Sequence, residues 1–341
     1  MKKTLLTLAV LVLLASCKKN SDEIIEPIKP LSPDIPLAVT GATKETEAIY
    51  PSSTLYNYLG YGYDATENFN SESSIRANVV DMPGFDADPL HTVSLNLGTK
   101  SSWTTIVAKN AVDLSEKFSN SHKETKGLRL FANTLIEAFP GAAVTDKKYI
   151  YGYYSFYMIR KTLRFYYDQS VNNFLSNQFK QDVNLLNAEN LIKKYGTHIL
   201  IGLNVGAKFD VIYQAEALGE NKEEISNEGF NYALKRAFGL FSGSLDDVKL
   251  INLHKNSSAK VYYSSIGGDI RKLETQKIND RTFLNISNWV STTTEDKARF
   301  MGVLNEGLVP IYNFIDDKVK KAEVKAYLEQ YFAVKAMKLT N

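Results

Sequence analysis

The stretch "KKYGTHILIGLNVGAKFDVIYQ", residues 193–214, alternates without interruption. Ile199, Ile201, Leu203, Val205, Ala207, Phe209, Val211 and Tyr213 are apolar, and His198, Gly202, Asn204, Gly206, Lys208 and Asp210 lie between them. This period-two pattern predicts a strand over 198–213, far longer than the usual length of about five or six residues. At ~3.3 Å per residue it would extend roughly 50 Å. Asn187 is placed to cap a short helix over 188–194, which Gly196 ends. The strand is then entered through Tyr195-Gly196-Thr197-His198, a structural corner between helix and strand.

Working outward, "TLYNYLGYGYDATENF" (54–69) reads as a bent opening strand, with Gly60 and Gly62 allowing close backbone approach. Strands follow at 91–98, 147–168 and 258–269, the last ending in Gly267-Gly268. Helical spacing governs 110–140, through Ala111, Leu114 and Phe118 and then Leu128, Phe131, Ala132 and Leu135. Thr294 is placed to cap a helix through about 308, which Pro310 ends. A last amphipathic helix carries Val324, Tyr327, Leu328 and Tyr331 on one face. The order predicts an α+β fold: an antiparallel sheet of about four long, bent strands, with helical clusters in two of its connections.

The N-terminus answers a separate question. "MKKTLLTLAVLVLLASC" has two lysines, an apolar core too short to span a bilayer, and small residues before Cys17. The layout is that of a secretory signal, and Leu14-Ala15-Ser16-Cys17 resembles a bacterial lipobox, in which Cys17 becomes the acylated N-terminus. Cys17 is the only cysteine, so no internal disulfide supports the fold. Residues 18–45 hold four prolines and many charges, the composition of an extended tether. Ser21-Asp22-Glu23 resembles acidic signals that send lipoproteins to the outer face of the outer membrane. Removing Lys2 and Lys3 from the formal charge of +2 leaves a neutral mature chain. Neutrality without a basic run argues against nucleic acid as a partner.

No catalytic or metal constellation emerges. The four histidines, His91, His122, His198 and His254, form no HExxH motif, and there is no Cys/His cluster. "GLFSGS" (239–244) has the spacing of neither a nucleophile elbow nor a phosphate loop. The expectation is a protein with no enzymatic activity, cofactor or metal.

Tyr195-Gly196-Thr197-His198, followed by a strand bearing Gly206-Ala207, resembles the signature of the membrane-attack-complex/perforin (MACPF) family, whose usual glycine pair is here Gly-Ala. "LGYGYDAT" (59–66), "YSSIGGD" (263–269) and "WVSTTTEDKARFMGVLNEGLVPIYNFI" (289–315) resemble further landmarks of that family, in the same order. The resemblance divides the chain into a lipoprotein signal peptide (1–16), a tether (17–45), a MACPF-like domain (46–335) and a C-terminal tail (336–341). It implies a bent, twisted four-stranded antiparallel sheet flanked by two helical clusters. In pore-forming members these clusters unfurl into transmembrane hairpins, and many subunits close a large β-barrel.

One segment fits both states. Phe230, Ala233, Leu234, Ala237, Phe238 and Phe241 follow helical spacing, whereas Phe230, Tyr232, Leu234, Phe238 and Leu240 share a face at period two, interrupted by Arg236. These five are the candidate membrane-inserting residues. A weaker version, Leu128, Leu130, Ala132, Ile136 and Ala138, lies in the first cluster. The expected function is a surface-tethered or released pore former, an antibacterial toxin or effector. It would be an outer-membrane lipoprotein whose partners are target-membrane lipid or a surface receptor and further copies of itself. The alternative is a non-lytic adhesin or a glycan- or lipid-binding protein on the same fold.

Overall fold

The computed structural model describes residues 37–41, 51–141, 143–217, 219–240, 251–278 and 281–340. In chain order the strands are β1 (Leu37–Gly41), β2 (Tyr61–Tyr63), β3 (Ile75–Asn78), β4 (Ser94–Ala108), β5 (Tyr149–Arg164) and β6 (His198–Leu200). They continue with β7 (Gly202–Ala217), β8 (Asn256–Ile266), β9 (Glu274–Ile278), β10 (Arg281–Asn285), β11 (Arg299–Val303) and β12 (Leu308–Pro310). The helices are α1 (Met82–Ala87), α2 (Ala111–Ser119), α3 (Asn133–Ala138), α4 (Asn177–Leu185) and α5 (Ala188–Tyr195). After them come α6 (Lys222–Phe238), α7 (Ser287–Val290) and α8 (Lys318–Lys335).

The four long strands form one antiparallel sheet in the order β8-β7-β5-β4, and the fold is α+β. The alternation read from the sequence becomes two faces of different chemistry. Tyr153, Lys208 and Asp210 lie on the face under α2, where Tyr153 donates to Asp210 at 3.1 Å and packs edge-on against Phe118. Lys208 Nζ lies 2.8 Å from Asp210 and donates to the Asn70 carbonyl at 2.7 Å, so this buried charge is paired. On the opposite face, Tyr154, Phe209, Val211 and Tyr213 make a separate core with α6. A smaller antiparallel sheet, β12-β6-β2-β3, shares the main core with α2, α3, α5 and α8.

Several expectations need correction. The single strand over 198–213 is two strands: β6 pairs with β2 and β12 in the small sheet, and β7 runs in the large one. The switch falls at Ile201, where the Ile201 and Gly202 amides both donate to the Gly307 carbonyl, at 2.8 and 3.1 Å. Alternation is blind to such a change, because both strands bury their apolar set. The helix expected from Thr294 to about 308 is absent; β11 pairs with β7 and β12 with β6. Helical spacing there is incidental, since Leu304–Gly307 turns the chain so that β12 reaches β6. In 128–132, Arg129 and Phe131 adopt positive φ, +57° and +65°, so α3 starts only at Asn133. The opening strand is confined to Tyr61–Tyr63.

The domain also extends beyond its expected ends. Leu37–Gly41, inside the stretch read as a tether, adds to the β8 edge in parallel, with Leu37 opposite Ala259 and Gly41 opposite Tyr263. An unpaired strand edge offers hydrogen bonds to any extended segment that can reach it. At the other end, the Met337 amide donates to the Arg129 carbonyl at 2.9 Å and Thr340 to Thr145 at 3.0 Å. These two residues of the expected tail therefore hold the loops around α3.

Candidate functional site: the corner, the bend and the second helical cluster

The corner is built by backbone approach. The Asn187 side chain accepts from Asn190 N at the start of α5, and Gly196 closes it at φ +76°. A Cβ on Gly196 would sit 2.6 Å from the Tyr63 carbonyl carbon, so only glycine suits both the dihedral and the space. Thr197 ties the corner to β2, its hydroxyl accepting from Ala65 N at 3.0 Å and its amide donating to Tyr63 O at 3.0 Å. Tyr195 is anchored by its hydroxyl, which donates to Asp182 at 2.5 Å. His198 is buried, contacts Thr197 Oγ1 through Nδ1 at 2.8 Å, and stacks on Phe332. Burial, with His122 nearby, pushes its imidazole down to about 3, and burial lowers His122 to about 4. Both are neutral at pH 7 and serve as packed rings.

The bend gathers the remaining signature residues. A Cβ on Gly206 would lie 1.9 Å from the Met158 carbonyl oxygen, beside the register shift between Ile159 and Lys161. Gly267, just past the end of β8, presses on Gly206 and Ala207, and its carbonyl accepts from Trp289 Nε1 at 2.9 Å. Gly268 lies against the same indole. Ala207 is itself buried here, so the methyl that departs from the usual glycine pair is accommodated.

The second cluster lies on the other face. Glu223 and Glu224 open α6, Lys235 and Arg236 close it in keeping with the helix dipole, and Gly239 caps it at φ +63°. Phe230, Ala233, Leu234, Ala237 and Phe238 form the buried stripe expected from helical spacing. Phe230 fits a slot left by Gly152, where a Cβ would come within 2.4 Å of its ring. Phe238 packs against Phe209 and Tyr263. Tyr232 and Leu240 are half-buried at the margin of this core, and Arg236 donates to the Tyr232 hydroxyl at 2.9 Å. Of the candidate inserting residues, then, Phe230, Leu234 and Phe238 are fully packed away. A polar knot holds the helix down: Glu228 accepts from the Asn252 amide at 2.8 Å, and the Asn256 side-chain amide donates to the Ile225 carbonyl at 3.1 Å. Cys17 and Phe241 lie outside the described residues.

Residues 153–340 match the family described as MAC/Perforin domain. The chain belongs to that family. Two solved structures share its fold: a MAC/Perforin-domain protein from Bacteroides thetaiotaomicron VPI-5482 and GNIP1Aa from Chromobacterium piscinae. The first is 15% identical with a TM-score of 0.65, covering 86% of this chain and 64% of that one. The second is 15% identical with a TM-score of 0.64, covering 83% of this chain and 57% of that one. This chain therefore spans less than two thirds of the length of either. Among curated proteins, none matches the chain in sequence.

Sequence reasoning missed two arrangements in this MAC/Perforin domain. Lys117 in α2 donates to the Val107 carbonyl on β4, to Asp113, and to Glu223 of α6 at 2.9 Å, so one ammonium links the two clusters around the sheet edge. The partners lie 106 residues apart in sequence, and only the fold brings them together. Second, His91 lies 2.8 Å from Ser170 Oγ and 3.2 Å from Asp88 Oδ1, the connectivity of a hydrolase triad. The Ser170 hydroxyl donates instead to Asp168, so its proton is not directed at the imidazole. The trio ties the loop after α1 to the loop after β5. Among the described residues, no group of three or more His, Cys, Asp or Glu could hold a metal ion, and no helix is long and apolar enough to cross a membrane.

Proposed function

We propose that this chain is a pore-forming protein, tethered to the cell surface or released, that assembles with its own copies into a β-barrel on target membranes. Its targets are membranes of competing bacteria, which makes it an antibacterial toxin or effector. The observation that carries the reading is the double coding of α6. Its apolar residues form a helical stripe buried against the sheet, and the same stretch read at period two places Phe230, Tyr232, Leu234, Phe238 and Leu240 on one face of a strand, interrupted by Arg236. A closed barrel satisfies its own backbone hydrogen bonds in lipid, so no spanning apolar helix is required. In this reading the domain works by binding and insertion, without an enzymatic step.

Release of calcein from vesicles of bacterial outer-membrane lipid tests the reading. Dose-dependent release supports it; binding to target cells that leaves every vesicle type intact replaces it with the adhesin. Localisation is tested separately. Cys17 is proposed as the acylated residue of an outer-membrane lipoprotein, so Cys17→Ala should abolish labelled-palmitate incorporation and free the protein from membrane fractions. Unchanged incorporation would remove the anchor.

A further inference from the structure

The sheet face that carries the buried ion pair is also the floor of a cavity. The cavity measures about 290 Å³ and lies between the sheet, the loop after α2 and β11. Register sets its floor: Thr104 lies opposite Ser155, Ser155 opposite Asp210, and Tyr157 opposite Lys208. Residues two apart on a strand share a face, so these side chains gather on one side of the sheet. Ile159, also in the lining, faces Gly206 of the bend. Ser121 and His122 close one side, and Met301 and Gly302 another. Thr104 and Ser121 are exposed at the rim, whereas Ser155 and Lys208 are buried below.

Stability alone does not explain this polar floor. A buried ion pair exchanged for apolar residues of like volume often leaves a fold as stable or more so. Lys208 uses two of its three N–H groups, on Asp210 and on the Asn70 carbonyl, and the third remains. Asn204, in the same lining, accepts from Thr162 at 2.8 Å through Oδ1, and its amide nitrogen has no partner among the described residues. The Tyr157 and Thr104 hydroxyls likewise meet none there. Hydrogen-bonding capacity therefore converges on the cavity from three strands.

The chemistry of these groups selects the ligand. Asp210 neutralises Lys208 at 2.8 Å, so the floor offers no net charge to an anion. The hydroxyls of Thr104, Ser155 and Tyr157 both donate and accept, whereas Lys208 and the Asn204 amide nitrogen only donate. A carboxylate would leave the accepting capacity unpaired and lie beside Asp210. A sugar hydroxyl donates and accepts, and so suits both kinds of group. Phe69, Ile106 and Tyr153 add apolar and aromatic wall for the C–H face of a pyranose. The volume of about 290 Å³ equals roughly ten water molecules at ~30 Å³ each, the order of one sugar ring with its hydroxyls.

We propose that this cavity binds one neutral pyranose, with Lys208, Asn204 and Tyr157 donating to its hydroxyls and Thr104 at the entrance. The site does not depend on the pore-forming reading: sugar can bind whether or not vesicles leak. Calorimetric titration of the full chain with glucose, galactose, mannose and N-acetylglucosamine tests it, with acetate as the anionic probe. At least one sugar should give saturable heat in the millimolar range, and acetate none. Binding of the methyl glycoside as well would admit the end of a glycan, and binding of the free sugar alone would exclude it; either result supports the site. Tyr157→Phe, which removes one hydroxyl at a half-buried position, should weaken binding about 3–10-fold. Thr104→Trp, which fills the entrance, should abolish it. Sugars also raise the urea midpoint of any protein by exclusion from its surface, so only a rise that Thr104→Trp lacks counts as binding. No saturable heat with any of these sugars overturns the proposal, as does equal binding in wild type, Tyr157→Phe and Thr104→Trp. Saturation by acetate in place of the sugars overturns the neutral ligand.

Discussion

The two helical clusters flank the same sheet and are held in opposite ways. The first packs aromatic on aromatic, with Phe69 stacked on Phe118 at 4.4 Å and both against Tyr153, over a sheet face that carries a buried ion pair. The second lays an apolar stripe on an apolar face and is pinned along its first half, where Ser226 donates to the Tyr151 carbonyl at 2.6 Å, Glu228 accepts from the Asn252 amide and Asn256 donates to the Ile225 carbonyl. One cluster is continuous with the core that holds the domain together, and the other adds to it. A helix that buries its own stripe against one sheet face can detach as a local unit, because local stability follows local packing.

The largest expected effect comes from cutting one aromatic in each cluster. Phe118→Ala and Phe230→Ala each remove a fully buried ring, at about 3–5 kcal/mol where the site cannot collapse. Phe118→Ala should lower the urea midpoint of the whole domain. Phe230→Ala should chiefly accelerate amide exchange in α6, leaving exchange in the main core near wild type. Equal loss of protection across both cores in the Phe230 variant would end the distinction.

Acid should act on the first cluster and the corner. His122 and His198 titrate near 4 and 3 when folded, against an ordinary value of 6.5. Between these values the unfolded chain binds more protons than the folded one, so stability is full above about pH 6.5 and falls as pH drops towards 4. The loss should be on the order of 3 kcal/mol for each histidine by pH 4. A neutral replacement, His198→Gln, should flatten the dependence. A urea midpoint with the same pH slope in wild type and His198→Gln would refute the linkage.

The smallest effect belongs to the link between the clusters. Lys117 and Glu223 are partly exposed, and a double-mutant cycle should return about 0.2–1 kcal/mol of coupling, reduced by salt. Its value lies in kinetics: Lys117→Ala should speed exchange in α6 more than it lowers global stability. A coupling energy of zero would mean that the clusters open independently.

Much of this was legible from residue patterns alone. Period-two alternation marks β7 and the start of β4 because a sheet buries alternate side chains, though β4 runs on to Ala108, ten residues past the stretch read as strand, and Asn187 and Gly196 mark the ends of α5 because capping chemistry is local. The stripe of α6 was legible for the same reason, since spacing on one helix determines which residues share a face. The remaining features depend on partners distant in sequence. The break at Ile201 exists because Gly307 accepts two amides there, and β11 and β12 are strands because β7 and β6 offer edges to pair with. Gly206 and Gly267 meet only once β7 and β8 are in register. Sequence alone determined which faces are apolar and where local caps fall, because those depend on neighbours along the chain. Tertiary structure decided which backbone pairs with which, because a strand's hydrogen bonds are made to another strand and carry no imprint in its own side chains.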